Sequence, residues 1–119
     1  MSLNLLMLAA ALGGMDYTAA YSQAKQMEGA LAPEQYEQLQ EAENDTIYNV
    51  MEQCSPDSER DESFVVVAAF DRSGRVLQTW RSGKSEFASC AEQQIRSSRI
   101  PFNPPAEPFV TALEFSDSE

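Results

Sequence analysis

Apolar residues recur along this chain with two different spacings, and the change of spacing divides it. Between Asp16 and Ala30, Tyr17, Tyr21, Ala24, Met27 and Leu31 follow one another at three or four residues, which predicts an amphipathic helix. Gly29 and the Ala32-Pro33 step interrupt it, and Pro33 is suited to the first position of a second helix. There Tyr36, Leu39, Ile47, Val50, Met51 and Cys54 form the expected apolar stripe, with Glu34, Glu37, Glu41 and Glu43 facing out and Asn44-Asp45 a candidate break. Residues 55–63 (SPDSERDES) then read as a polar loop.

Beyond that loop the period changes. Phe64–Phe70 (FVVVAAF) is a continuous β-branched and aromatic run, as in a strand buried on both faces. Asp71-Arg72-Ser73-Gly74 reads as a hairpin turn with Gly74 free to take positive φ. Arg75–Arg81 (RVLQTWR) returns as a second strand, with Val76 and Trp80 on one side and Leu77 on the other. Ser85 is a helix cap, followed by a helix to about Ser98 whose buried face holds Phe87, Ala91 and Ile95, with Ala88 flanking. Four prolines in residues 100–108 (IPFNPPAEP) impose an extended connector, and Phe109–Phe115 (FVTALEF) alternates as a half-buried strand would. The fold class expected is α+β: a small antiparallel three-stranded sheet in the order α-α-β-β-α-β, with helices on one face.

Residues 3–12 (LNLLMLAAAL) form an uncharged apolar run, far shorter than the ~20 residues a membrane-spanning helix needs. It suits the core of a secretory signal peptide, with Ala11 and Gly13 as small residues before a cleavage point after Gly13 or Gly14, although no Lys or Arg precedes it. The rival is a buried N-terminal helix of a cytosolic protein. Two cysteines, Cys54 and Cys90, read as a disulfide in an exported chain. Closing that loop would contribute roughly 3–4 kcal/mol in the chain-entropy model. The alternative is two reduced, buried cysteines.

Charge and chemistry narrow the function classes. The net charge is −11, from 19 acidic and 8 basic residues, which disfavours nucleic acid and anionic membranes as partners. The asymmetry is strong: residues 28–62 carry eleven acidic residues and one basic residue, while residues 63–119 carry seven and six. Histidine is absent, which removes the usual general base and the commonest metal ligand. No glycine-rich phosphate loop occurs, and Asp57, Glu59, Asp61 and Glu62 lack the spacing of a calcium loop. No enzyme, cofactor or metal is expected.

From about Thr46 to Phe115, the ordered features resemble the TonB C-terminal domain family, in its periplasmic and gliding-motility forms. They are the helix end Ile47…Cys54, the strand Phe64–Phe70, the hairpin Asp71…Gly74-Arg75-Val76, a helix with Cys90 and Ile95, Phe102-x-Pro104-Pro105, and a last strand ending Leu113-Glu114-Phe115. The two cysteine positions also look like that family's. The resemblance implies a periplasmic interaction module that pairs an exposed strand edge with a partner segment. It departs from the family pattern in having no long proline-rich spacer and in its helical extension before Cys54. The expected organisation is a signal peptide over 1–14, a helical extension over 15–45 and a TonB-like domain over 46–119. The partner is then another envelope protein, or a second copy of the chain paired edge to edge. The candidate partner surface comprises Arg75, Trp80 and Arg81, with Glu34, Glu37 and Glu41 on the acidic helix. The alternative function is an acidic exported inhibitor or immunity-type protein that captures a basic enzyme or toxin.

Overall fold

Two strands, Phe64–Phe70 and Phe109–Phe115, are buried along almost their whole length and determine the architecture. The computed structural model describes residues 12–54 and 63–116. Its elements are α1 (Tyr17–Gly29), α2 (Pro33–Gln53), β1 (Phe64–Phe70), β2 (Val76–Arg81), α3 (Glu86–Arg96) and β3 (Phe109–Phe115). The fold is α+β, with an antiparallel sheet of strand order β2-β1-β3. All four residues of the polar stretch considered for calcium, and the rest of the loop over 55–62, lie outside the described residues, as does most of the segment read as a signal peptide.

Helices cover both faces of the sheet, not one. Phe64, Val66, Ala68 and Phe70 of β1 pack with Phe109, Leu113 and Phe115 of β3 against Leu39 and Val50 of α2 and Phe87, Ala91 and Ile95 of α3. The opposite face, Val67, Ala69, Trp80, Val110 and Ala112, is closed by Ala20 and Ala24 of α1 and by Leu12. Trp80 Nε1 also donates to the Met15 carbonyl at 2.9 Å. The small alanines of α1 let its backbone approach the sheet closely, and their size makes this contact faint in a hydrophobic pattern. Because β3 is covered on both sides, only Glu114 of its seven residues is exposed, so it is not the half-buried strand its alternation suggested.

The ends of the elements follow local chemistry. Asp16 caps α1 by accepting from the Ala19 amide at 2.9 Å, and Ser85 caps α3 by accepting from the Ala88 amide at 3.0 Å. Pro33 opens α2, where the Gln35 side chain reaches back to the Ala32 amide at 3.0 Å. α2 runs unbroken through Asn44-Asp45 and across the boundary drawn at residue 45. Its buried face is Leu39, Ala42, Thr46, Val50 and Cys54, while Tyr36, Tyr48 and Met51 are exposed. The stripe therefore runs through smaller residues than expected, and Thr46 satisfies its hydroxyl by donating to the Ala42 carbonyl at 2.9 Å.

Cys54, the C-cap of α2, is joined to Cys90 of α3 with a Cα–Cα distance of 5.9 Å. The bond fastens the two helices of one layer to each other. At the hairpin, register shifts between Ala69 and Phe70, leaving Leu77 as the extra residue. That shift sends Val76 to the α2–α3 face and Trp80 to the α1 face, so the two do not share a side.

Candidate functional site

The sheet has two lateral edges, and they are treated differently. Ser82 N–H donates to the Val65 carbonyl, and Trp80 and Gln78 follow in the same register opposite Val67 and Ala69. By antiparallel alternation, the backbone groups of Thr79 and Arg81 point away from β1. At the start of this edge the connector after α3 lies alongside: Arg75 and Arg99 form an isolated antiparallel bridge, and Ile100 N–H donates to the Gly74 carbonyl at 2.9 Å. Beyond that, no strand among the described residues flanks β2. The Leu77 side chain beside this edge is 51% exposed.

The side chains of β2 on the α3 face form a polar cluster. Glu92 accepts from the Thr79 hydroxyl at 2.7 Å and pairs with Arg81 Nε at 3.2 Å. Arg96 Nε donates to Thr79 Oγ1 at 3.0 Å, and its terminal nitrogen stands 3.6 Å from Glu92. One buried nitrogen of Arg81, Nη1, has no hydrogen-bond partner. The three candidate residues from the second strand are thus not equivalent. Arg75 is exposed, Arg81 is half-buried and held by Glu92, and Trp80 is buried beneath the segment ending at Met15.

The edge of β3 is occupied. Phe64, Val66, Ala68 and Phe70 register opposite Phe115, Leu113, Thr111 and Phe109, so the Ala112 amide points outward. Glu28, at the end of α1 and only 8% exposed, accepts from that amide at 2.9 Å and contacts Thr111 Oγ1 at 2.6 Å through the same oxygen, Oε2. Glu43 of α2 meets the same hydroxyl through its own Oε2. Burial pushes the Glu43 carboxyl up to about 7, against the opposing effect of the Thr111 hydrogen bond and with support from the nearby Glu28 charge. Glu43 was expected in solvent; its position on α2 turns it inward beside β3 instead.

A second charge layer closes this corner. Lys25 Nζ lies 3.0 Å from Glu114 and 3.6 Å from Glu28, and 5.3 Å from the centre of the Tyr21 ring. Partial burial works against its charge, but the hydrogen bond to Glu114 and the field of both carboxylates outweigh it and hold the ammonium above its usual pKa.

The acidic helix presents a third surface. Glu34, Glu37 and Glu41 are exposed on α2, together with Tyr36 at 42% and Tyr48 at 63%. Glu37, Gln38, Gln40, Glu41 and Asn44 line a shallow depression there. A neighbouring groove of about 270 Å³ lies between α2 and the connector, lined by Asp45, Tyr48, Asn49, Arg99 and Pro101 among others. The structure does not bring these glutamates together with Arg75 and Arg81. No group of three or more acidic or thiol residues able to hold a metal ion occurs among the described residues. Sequence reading missed Glu28, Glu43 and Thr111, whose only signal was an acid at an interior helical position opposite a threonine in an apolar strand. No helix among the described residues is long and apolar enough to cross a membrane. No family model, no curated protein and no solved structure matches this chain.

Proposed function

We propose that this chain is a non-enzymatic periplasmic interaction module of the kind its resemblance to TonB C-terminal domains suggests, taking an extended segment of an envelope protein on the outer edge of β2. The observation that carries this reading is the contrast between the two edges: β3 is stoppered by Glu28, whereas β2 has no flanking strand among the described residues beyond Arg75. Main-chain hydrogen bonds at Thr79 and Arg81 would supply affinity, and the half-exposed Leu77 an apolar contact. The disulfide supports an oxidising address. Export itself rests on the apolar run over residues 3–12.

The exposed Glu34, Glu37 and Glu41, standing with Tyr36 and Tyr48, favour a second reading as an acidic inhibitor of a basic enzyme or toxin. One experiment separates the two. A partner recovered from envelope extract is titrated against the wild-type protein and against Leu77→Lys, at low and at moderate salt. A charge beside an edge strand opposes pairing. Edge capture predicts about a tenfold weaker affinity for the variant, roughly 1.4 kcal/mol, with little salt dependence. An unchanged affinity for Leu77→Lys sinks the edge reading, and a steep loss of affinity with salt in both proteins favours the acidic helix.

A further inference from the structure

We infer that Glu28, Thr111 and Glu43 form a proton-dependent latch, in which one proton shared by two carboxyl groups across a single hydroxyl closes the α1–α2 corner onto the outer edge of β3. Thr111 Oγ1 carries one hydrogen, yet oxygens of two carboxyl groups approach it within bonding distance. A hydroxyl can donate to only one of them. The other contact needs a proton on the carboxyl, which then donates to the hydroxyl oxygen. Glu28 Oε2 already accepts from the Ala112 amide, so the arrangement makes Glu28 the acceptor and Glu43 the acid. Thr111 is fully buried, so no bulk water relieves a second negative charge at this point.

The ionisable groups facing Glu43 come from two elements: Lys25 and Glu28 on α1, and Glu114 on β3. Lys25 is drawn toward Glu114 and Glu28 and favours ionisation of Glu43, but burial and the two carboxylates oppose it more strongly. The folded protein therefore holds the Glu43 proton more tightly than the unfolded chain does. Its contribution to the closed corner is fully present below about pH 4.5, the ordinary value for the group, and is lost as pH rises through about 7. Acid closes the latch and alkali loosens it. This device is independent of whether β2 binds a partner.

Exchange of the Ala112 amide with solvent deuterium, corrected for the intrinsic pH dependence of exchange, reads the latch directly. The opening constant is expected to rise about tenfold per pH unit between about pH 5 and about pH 7 and then level off. In Glu43→Gln the side-chain amide donates to Thr111 at every pH, so the profile becomes flat and Ala112 stays protected. A flat profile in the wild-type protein, or an unchanged slope in the variant, overturns the inference. Carboxyl-carbon NMR of the wild-type chain gives a second readout that does not depend on the variant folding. A Glu43 carboxyl titrating near neutrality supports the latch, and one titrating wholly in the ordinary carboxylate range overturns it.

Discussion

Gly74 adopts φ +90°, and a Cβ built there would stand 2.5 Å from the Ile100 carbonyl oxygen. The two backbones are held this close by the hydrogen bond from the Ile100 N–H to the Gly74 carbonyl, so neither can retreat without losing it. Gly74→Ala should therefore cost about 1–3 kcal/mol, seen as a lower urea midpoint with an unchanged denaturant slope. The turn itself was legible, because Asp71 and Gly74 are chemically suited to it: Asp71 Oδ1 accepts from the Ser73 hydroxyl, which does most to hold its carboxyl below the usual range, and from the Arg75 and Ser73 amides, which add to it. The close approach of Ile100 was not legible, since it depends on where α3 delivers the chain. The same holds for Glu28 and Glu43. A glutamate on a helix reads as solvated unless its partner is known, and Thr111 lies 83 and 68 residues away in sequence.

Among the elements, β1 was the plainest to read, since seven apolar residues in a row have no solvent-facing side and need cover above and below. The cover on the second face was missed because α1 packs through Ala20 and Ala24, whose small side chains carry little weight in a hydrophobic pattern. α2 misled in the opposite direction: Tyr36 and Met51 suggested a wide apolar stripe, but the buried line runs through Ala42 and Thr46. What fixes α2 at its far end is covalent. Cys54 ends the helix and Cys90 sits within α3, across a sequence separation of 36. Replacing both with alanine should lower stability by about 3–4 kcal/mol, measured by chemical unfolding, with wild-type protein under reductant falling by a similar amount. A loss below about 1 kcal/mol would show that the reduced, unfolded chain already keeps these two segments close together.

At the scale of the whole molecule, the sheet is the middle of three layers, and the sequence indicated two. The extra layer changes what the N-terminal region is. α1, read as an extension of a smaller domain, covers one face of the sheet and supplies the groups that occupy the β3 edge. Of the surfaces nominated from sequence, the acidic face of α2 and Arg75 are exposed, while Trp80 serves the interior. If the chain interacts through an edge as proposed, that interaction is confined to the β2 side, which sets a limit on self-association. Pairing of two β2 edges closes a dimer and leaves nothing to add further copies, so sedimentation should show monomer and dimer without longer species. A concentration-dependent series of larger assemblies would mean that the Glu28 stopper is displaced.

The roof over Trp80 makes this single indole a natural reporter. Leu12 shares its cluster and the Met15 carbonyl takes its N–H, so a peptidase cutting after Gly13 or Gly14 would strip away the leucine and leave Met15 at or next to a fresh, charged terminus. Fluorescence of the trimmed protein should then shift to longer wavelength and become accessible to a soluble quencher such as acrylamide, while the uncut chain stays blue and shielded. The colour of one side chain would thus record whether the chain has been cut at that point.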